Sequence, residues 1–316
     1  MRSFERLIAA ALIVASAFMS SLGVAAAQDK VIRIGYQKYG KLVLLNGKGK
    51  LEDKLKPLGY KVSWTEFPSG PPLLEALNVG AIGFGIAGET PPIFAQTAGA
   101  PLVYLAYDPP APQGEAILVP KDSPLKTVAD LRGKKVALNK GSNVHYLLVR
   151  ALEHAGLKYT DVKTHFLAPS DALAAFSQGA VDAWVIWDPY EAAAEASTGA
   201  RILADGTGLV ANYQFYFSSK DFLAKNPQAV DVTLEALTEV DEWTKNNIEK
   251  VAELLSPSVG LPVPVLVRSL RRESYGIKPI TDDVIASQQK IADTFFGLGL
   301  LPKTIKVSDA QRKPGS

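Results

Sequence analysis

Short apolar runs alternate along this chain with stretches of helical spacing, and the lengths separate the two. Residues 31–36 (VIRIGY) and 60–67 (YKVSWTEF) are runs of strand length, the second clearly alternating. Residues 81–87 (AIGFGIA) are apolar throughout and bounded by glycine, the pattern of a strand buried on both faces. A helix over residues 73–79 stops before Gly80, because glycine tolerates the left-handed conformation of a helix end. Beyond the buried run, Gly88, Glu89 and Thr90 form a loop, and Pro91 and Pro92 then suit the first turn of a new helix reaching Gln96. A helix is expected over residues 42–55, weakened by Gly47 and Gly49; residues 102–107 read as a strand, 108–112 as a proline-rich connection, and 115–120 (EAILVP) as a strand leaving this unit.

A second unit follows with a short helix at 128–131, a strand at 135–138, a loop at 139–143 (NKGSN), a helix at 144–155, a strand at 162–167, a helix at 171–178 and a strand at 180–187. Sliding it back 99 positions sets Leu173 on Leu74, Gly179 on Gly80, Val181 on Ile82 and Asp188 on Glu89. Two α/β halves of similar design are the expectation. Residues 213–218 (YQFYFS) read as a returning strand, and helices are expected at 221–223, 230–246, 250–255, 265–272 and 282–296, packing back on the first half. The expected divisions are a leader at 1–27, a first lobe at 28–115, a second lobe at 116–215 and a helical return to the first lobe at 216–316.

A strand that ends in a glycine loop and feeds a helix leaves several backbone N–H groups aimed at one spot, with the positive end of the helix dipole behind them. Such a spot holds an acceptor without any lysine, although a bare strand-to-helix connection has the same pattern. Ser142, placed as an N-cap, forms a second corner with the N–H groups of Asn143 and Val144; simple capping is the alternative. Glu89 and Asp188 are in principle a carboxylate pair across a cleft, but each stands at a helix start, which it serves without any catalytic role. Trp187 offers a flat apolar wall for a ligand's carbon skeleton, or fills a core at a strand end.

Composition narrows the chemistry. Arg2 and Arg6 precede an apolar run to Val24, and Ala25, Ala26 and Ala27 then lead to Gln28, the layout of a secretory signal cleaved after Ala27; an N-terminal anchor is the alternative. No cysteine occurs in the 316 residues, which removes thiol nucleophiles, cysteine metal sites and disulfides. A formal charge of +2 without a Lys/Arg block argues against nucleic acid. His145 and His154 lie nine residues apart on one helix, a spacing that does not place both on a metal, so neither a metal nor a cofactor is expected. His145, in the first turn after the Ser142 loop, is the one candidate among the histidines.

The segments IGYQK, EFPSGPPLLEALNVG, GETPPIFAQTAGAPLVY, KVALNKGSNVHYLLVRAL, GAVDAWVIWDPY and NYQFY, in this order, resemble the periplasmic aliphatic sulfonate-binding proteins of sulfonate ABC importers. The resemblance spans nearly the whole chain after the leader. It implies an α/β, two-lobe type II periplasmic-binding-protein fold with a two-strand hinge, closing on its ligand. It places Gln37, Gly88, Glu89 and Thr90 of the first lobe and Ser142, Asn143, His145, Trp187 and Asp188 of the second in the cleft, with Tyr213 and Gln214 near the hinge. It also implies a periplasmic monomer, not an enzyme, that delivers an alkanesulfonate to a membrane permease and its ATPase. Ala87 replaces a frequent threonine, Gly83 a common aspartate and Tyr213 a frequent histidine of that pattern. Taurine, nitrate-like anions or a thiamin pyrimidine precursor are the alternative ligands. A desulfinase-like hydrolase on the same fold is the alternative of another class, and it needs a cysteine this chain lacks.

Overall fold

The computed structural model describes residues 30–312, so the expected leader and its cleavage point lie outside the described residues. Among the described residues, eleven strands form two sheets. In the first, the order is β2 (Tyr60–Glu66), β1 (Lys30–Tyr36), β3 (Phe84–Gly88), β10 (Gln214–Ser219), β4 (Leu102–Asp108), β11 (Lys278–Pro279). In the second it is β7 (Lys163–Phe166), β6 (Lys135–Leu138), β8 (Ala183–Trp187), β5 (Glu115–Val119), β9 (Arg201–Asp205). β3 runs parallel to β1 and antiparallel to β10; β8 runs parallel to β6 and antiparallel to β5. Every residue of β3, β4, β5 and β8 is buried, which is why these strands read as continuous apolar runs.

The internal repeat is structural. The helix Gly70–Asn78 and β3 map onto the helix Pro169–Ser177 and β8 with the same 99-residue offset at both ends of each element. Gly80 and Gly179, which stop the two helices, share a left-handed backbone at φ 72 and φ 70.

Several boundaries differ from the pattern reading for local reasons. β3 begins at Phe84, because the N–H groups of Ala81 and Ile82 fold back to the Ala76 carbonyl and that of Gly83 goes to Arg33. The expected helix over 42–55 is two, Lys41–Lys48 and Lys50–Leu55, divided at Gly49 with φ 61. β9 and the two-residue edge strand β11 had no counterpart in the pattern reading.

The C-terminal helices do pack on the first sheet. Leu237, Val240, Val251 and Leu255 share a core with Ile32, Ile34, Phe84 and Tyr216 on one face; Ile291 and Phe295 meet Leu73, Phe215 and Phe217 on the other. Each such fully buried side chain contributes roughly 1.5–3 kcal/mol, so the return segment holds the first sheet from both sides.

The chain crosses between sheets twice, from Asp108 to Glu115 and from Asp205 to Gln214. The crossings are tied together: Ala111 N–H donates to Ala211 O at 3.0 Å, Gly206 N–H to Pro112 O at 2.9 Å, and Asn212 Nδ2 to Ala111 O at 2.8 Å. Asn212 holds a left-handed backbone at φ 51, a conformation asparagine tolerates better than most residues.

Candidate functional site

Both halves end their repeated strand against a crossing strand. Gly88, the last residue of β3, pairs with Gln214 of β10, and Trp187, the last of β8, pairs with Glu115 of β5. The acid that follows each strand then bonds to a crossing: Glu89 Oε2 accepts from Tyr213 N–H at 3.1 Å, and Asp188 N–H donates to Gly114 O at 3.0 Å. The lobes touch here. A Cβ built on Gly88 would stand 3.0 Å from Asn143 Oδ1, and one on Gly141 would stand 3.4 Å from the Phe94 ring.

Trp187, Asp188 and Gln214 line one cavity together with Tyr39, Asn212 and Arg272. Tyr39 donates its hydroxyl proton to Gln214 Oε1 at 2.6 Å, and Gln214 Nε2 donates to Asn212 Oδ1 at 3.3 Å. Trp187 is buried, yet its indole Nε1 has no hydrogen-bond partner.

Gly88, Glu89, Asn143 and Tyr213 gather at the seam beside that cavity. Asn143 Nδ2 donates to Glu115 Oε2 and, at 3.0 Å, to Asn212 Oδ1. Thr90 is fully buried as the N-cap of the helix Pro91–Thr97, with its hydroxyl unpartnered.

Three candidates are used differently from the sequence expectation. Ser142 does precede the helix Asn143–His154, but its hydroxyl donates back to Asn139 O at 2.7 Å and caps no amide. Gln37 donates from Nε2 to Ile86 O at 3.1 Å, inside the first lobe. His145 is buried against Phe94, Phe166 and Phe295. Gly141 N–H donates to its Nδ1 at 3.2 Å, so the proton sits on Nε2 and points to the Tyr159 hydroxyl at 2.8 Å. Burial lowers its pKa to about 4, which keeps the ring neutral. Among the described residues no group of His, Cys, Asp or Glu is arranged to hold a metal ion.

Two cations border the site without any motif to mark them in the sequence. Arg272, at the end of the helix Val263–Arg272, sets Nη2 2.7 Å from Glu195 and Nη1 3.4 Å from Asp188. The same Nη1 is 2.7 Å from Glu191 Oε1, in charge contact although its angle makes no hydrogen bond. Lys41 lies beneath the cavity, 2.9 Å from Asp108, 3.5 Å from Asp241 and 3.6 Å from Glu273. Carboxylates outnumber the cations, and burial raises the pKa of Asp188, Glu191 and Asp108, and that of Glu273 to about 7. The RRES run at residues 271–274 carried the only local signal for this cluster.

Two α/β lobes, two crossing strands and a cavity lined from both lobes define a two-lobe periplasmic-type binding protein. The family model described as NMT1/THI5 like matches residues 66–250. An aliphatic sulfonates-binding protein of Escherichia coli (strain K12) is 46% identical over 97% of this chain and 95% of its own length. The alkanesulfonate-binding protein SsuA from Xanthomonas axonopodis pv. citri, solved bound to MOPS, is 41% identical with a TM-score of 0.86, covering 91% of this chain and 99% of that one. The crystal structure of the periplasmic aliphatic sulphonate binding protein SsuA from Escherichia coli is 45% identical with a TM-score of 0.82, covering 91% and 93%. The chain belongs to the aliphatic sulfonate-binding proteins, within the NMT1/THI5-like family.

Proposed function

We propose that this protein captures aliphatic sulfonates in the periplasm and delivers them to an ABC importer, as a monomer exported through the leader of residues 1–27. The kinship over nearly the whole chain carries the reading. Its relatives are binding proteins, and MOPS, held by the Xanthomonas relative, is itself a propanesulfonate.

The chemistry of the cleft supports capture rather than turnover. A sulfonate offers three acceptor oxygens and no donor, and it stays ionised at any ordinary pH. Unpartnered Trp187 Nε1 and Thr90 Oγ1, with the first N–H groups of the helix Asn143–His154, are donors of the required kind. Arg272 adds a cation at the cavity wall, held by its carboxylates until an anion competes for it. A desulfinase-like hydrolase would need a cysteine nucleophile, and the sequence has none.

Delivery requires a closed form that the permease can distinguish from an open one. The paired crossings at Ala111–Ala211 and Pro112–Gly206 are where such a motion would bend.

Calorimetric titration with a panel of alkanesulfonates, sulfate, nitrate and taurine tests this reading. Heat from alkanesulfonates and none from sulfate or nitrate is expected. No heat from any sulfonate would overturn it, heat from nitrate alone would move the ligand to that anion, and heat from taurine alone would narrow the ligand to an aminosulfonate.

A further inference from the structure

Two carboxyl groups at the lobe seam have no role in holding a sulfonate. Glu89 is 1% exposed and Glu115 is wholly buried. One oxygen of each is occupied: Tyr213 N–H donates to Glu89 Oε2, and Asn143 Nδ2 donates to Glu115 Oε2. The other oxygen of each, Oε1, is buried with no hydrogen-bond partner. Among the described residues neither carboxyl forms an ion pair, in contrast to Asp188 and Asp108, which each have a cation.

The two groups feel one another, and the negative charge of Glu89 is, after burial, the largest influence raising Glu115. Around them stand Tyr146 of the helix Asn143–His154, Tyr213 before β10, Tyr39 beyond β1 and Glu191 of the helix Tyr190–Thr198, none of them a cation. Lys290 of the helix Asp282–Gly297 lines a groove of about 390 Å³ with Glu89 and Tyr146 but makes no ion pair with either carboxyl. Gln288 Nε2 donates to the backbone carbonyl of Glu89, at 2.8 Å, which leaves the side chain unopposed.

Two buried carboxylates without a counter-charge are unfavourable, and only two things relieve them: protons, or a cation that arrives with the ligand. A sulfonate cannot serve, since it has no donor. A protonated amine on the same molecule can, because an ammonium has up to three N–H donors and two unpartnered oxygens wait for them.

We propose that Glu89 and Glu115 form an ammonium-reading subsite, so that among sulfonates this protein prefers those that also carry a protonated amine. The proposal rests on the sulfonate reading above and assigns these two residues the opposite end of a zwitterion. Without the amine, the pair holds protons on closure, since burial raises both carboxyls and takes Glu89 to about 7. An ammonium displaces those protons into solvent.

The test compares 3-aminopropanesulfonate with butanesulfonate, of matched length, by calorimetry on the mature protein at pH 7 in two buffers that differ in ionisation enthalpy. The amino compound is expected to bind about tenfold tighter or more, as charge-assisted hydrogen bonds to buried partners allow, and to release protons that butanesulfonate does not. In Glu89→Gln and Glu115→Gln the ratio of the two affinities should fall towards one. Equal or weaker binding of the amino compound, or tighter binding without proton release, would overturn the subsite while leaving sulfonate capture intact. Heat from neither compound would overturn both readings. If a variant fails to fold, the two ligands on the unaltered protein still decide.

Discussion

Gly88 and Asn143, from opposite lobes, meet so closely that a methyl group on Gly88 would stand 3.0 Å from the Asn143 amide oxygen. The contact joins the end of β3 to the first turn of the helix Asn143–His154, where the two halves share a seam. Its backbone is not left-handed, so alanine at this position strains no torsion and acts only by pushing Asn143 away. Gly88→Ala should therefore leave the melting temperature within a few degrees but oppose closure by about 1 kcal/mol, weakening ligand binding roughly fivefold. Calorimetry beside a thermal melt checks it; a large loss of melting temperature with unchanged affinity would place the contact in folding instead of closure.

Gly83 departs from the aspartate that its repeat partner, Asp182, retains. Both residues give their N–H to the neighbouring strand, to Arg33 O and Lys135 O, but Asp182 Oδ2 also accepts from Lys135 N–H at 2.7 Å. At Gly83 that extra bond is precluded, since a Cβ would lie 2.5 Å from the Phe222 ring. Gly83→Asp should destabilise the protein by about 1–3 kcal/mol in a denaturant titration. Adding Phe222→Ala should recover part of that loss; a double variant less stable than the sum of the singles would mean that the ring is not the obstacle.

These two glycines show how far sequence reaches. The 99-residue repeat was legible because helix stops and buried strands obey spacing rules that survive in a single chain, and Gly80 and Gly179 mark the same turn in both halves. The pairing of Glu89 with Tyr213 was not, because those residues are 124 positions apart and only the second crossing brings them together. The same holds for Arg272, whose partners Asp188 and Glu195 precede it by 84 and 77 positions. β9, Arg201–Asp205, escaped because its mixture of polar ends and half-exposed positions resembles a loop as much as an edge strand. Ser142 occupies the N-cap position that the spacing predicts, but the hydroxyl's choice of Asn139 O over the helix amides depends on the loop's turn.

Arg272 is the counter-charge for Asp188, Glu191 and Glu195, and Glu191 is wholly buried. Replacing it with methionine leaves Asp188 and Glu191 without a cation, while Glu195 keeps Arg268 at 3.5 Å, and breaking such a buried pair costs about 3 kcal/mol. Asp188 and Glu191 already have pKa values raised by burial, so both hold protons more firmly folded than unfolded. Their contribution to stability is therefore complete below the unfolded carboxyl value and is lost as pH climbs towards the raised one. Arg272→Met should accordingly melt far lower than the unaltered protein at pH 8 and only slightly lower at pH 5. Adding Asp188→Asn should restore much of the deficit at pH 8, because Asp188, raised to about 6, is the carboxyl that ionises between the two pH values; a deficit equal at both would show that Arg272 acts by packing alone.

Trp187 ends β8, the middle strand of the second sheet, stands edge-on to Tyr190 with centroids 6.2 Å apart, and lines the cavity with an indole N–H that bonds to nothing. A buried donor left free is unfavourable by about 1–3 kcal/mol unless something accepts from it, and a sulfonate oxygen is such an acceptor. Phenylalanine preserves the apolar wall and removes only the donor. Trp187→Phe should therefore weaken alkanesulfonate binding about tenfold with little change in melting temperature, a loss of the size expected for one hydrogen bond to a charged group. Trp187→Ala removes the wall as well and should both lower the melting temperature and weaken binding further, through the cavity it leaves in the core of the second lobe. Equal affinity of the phenylalanine variant and the unaltered protein would make the indole a packing residue and shift the sulfonate onto the amides of the helix Asn143–His154.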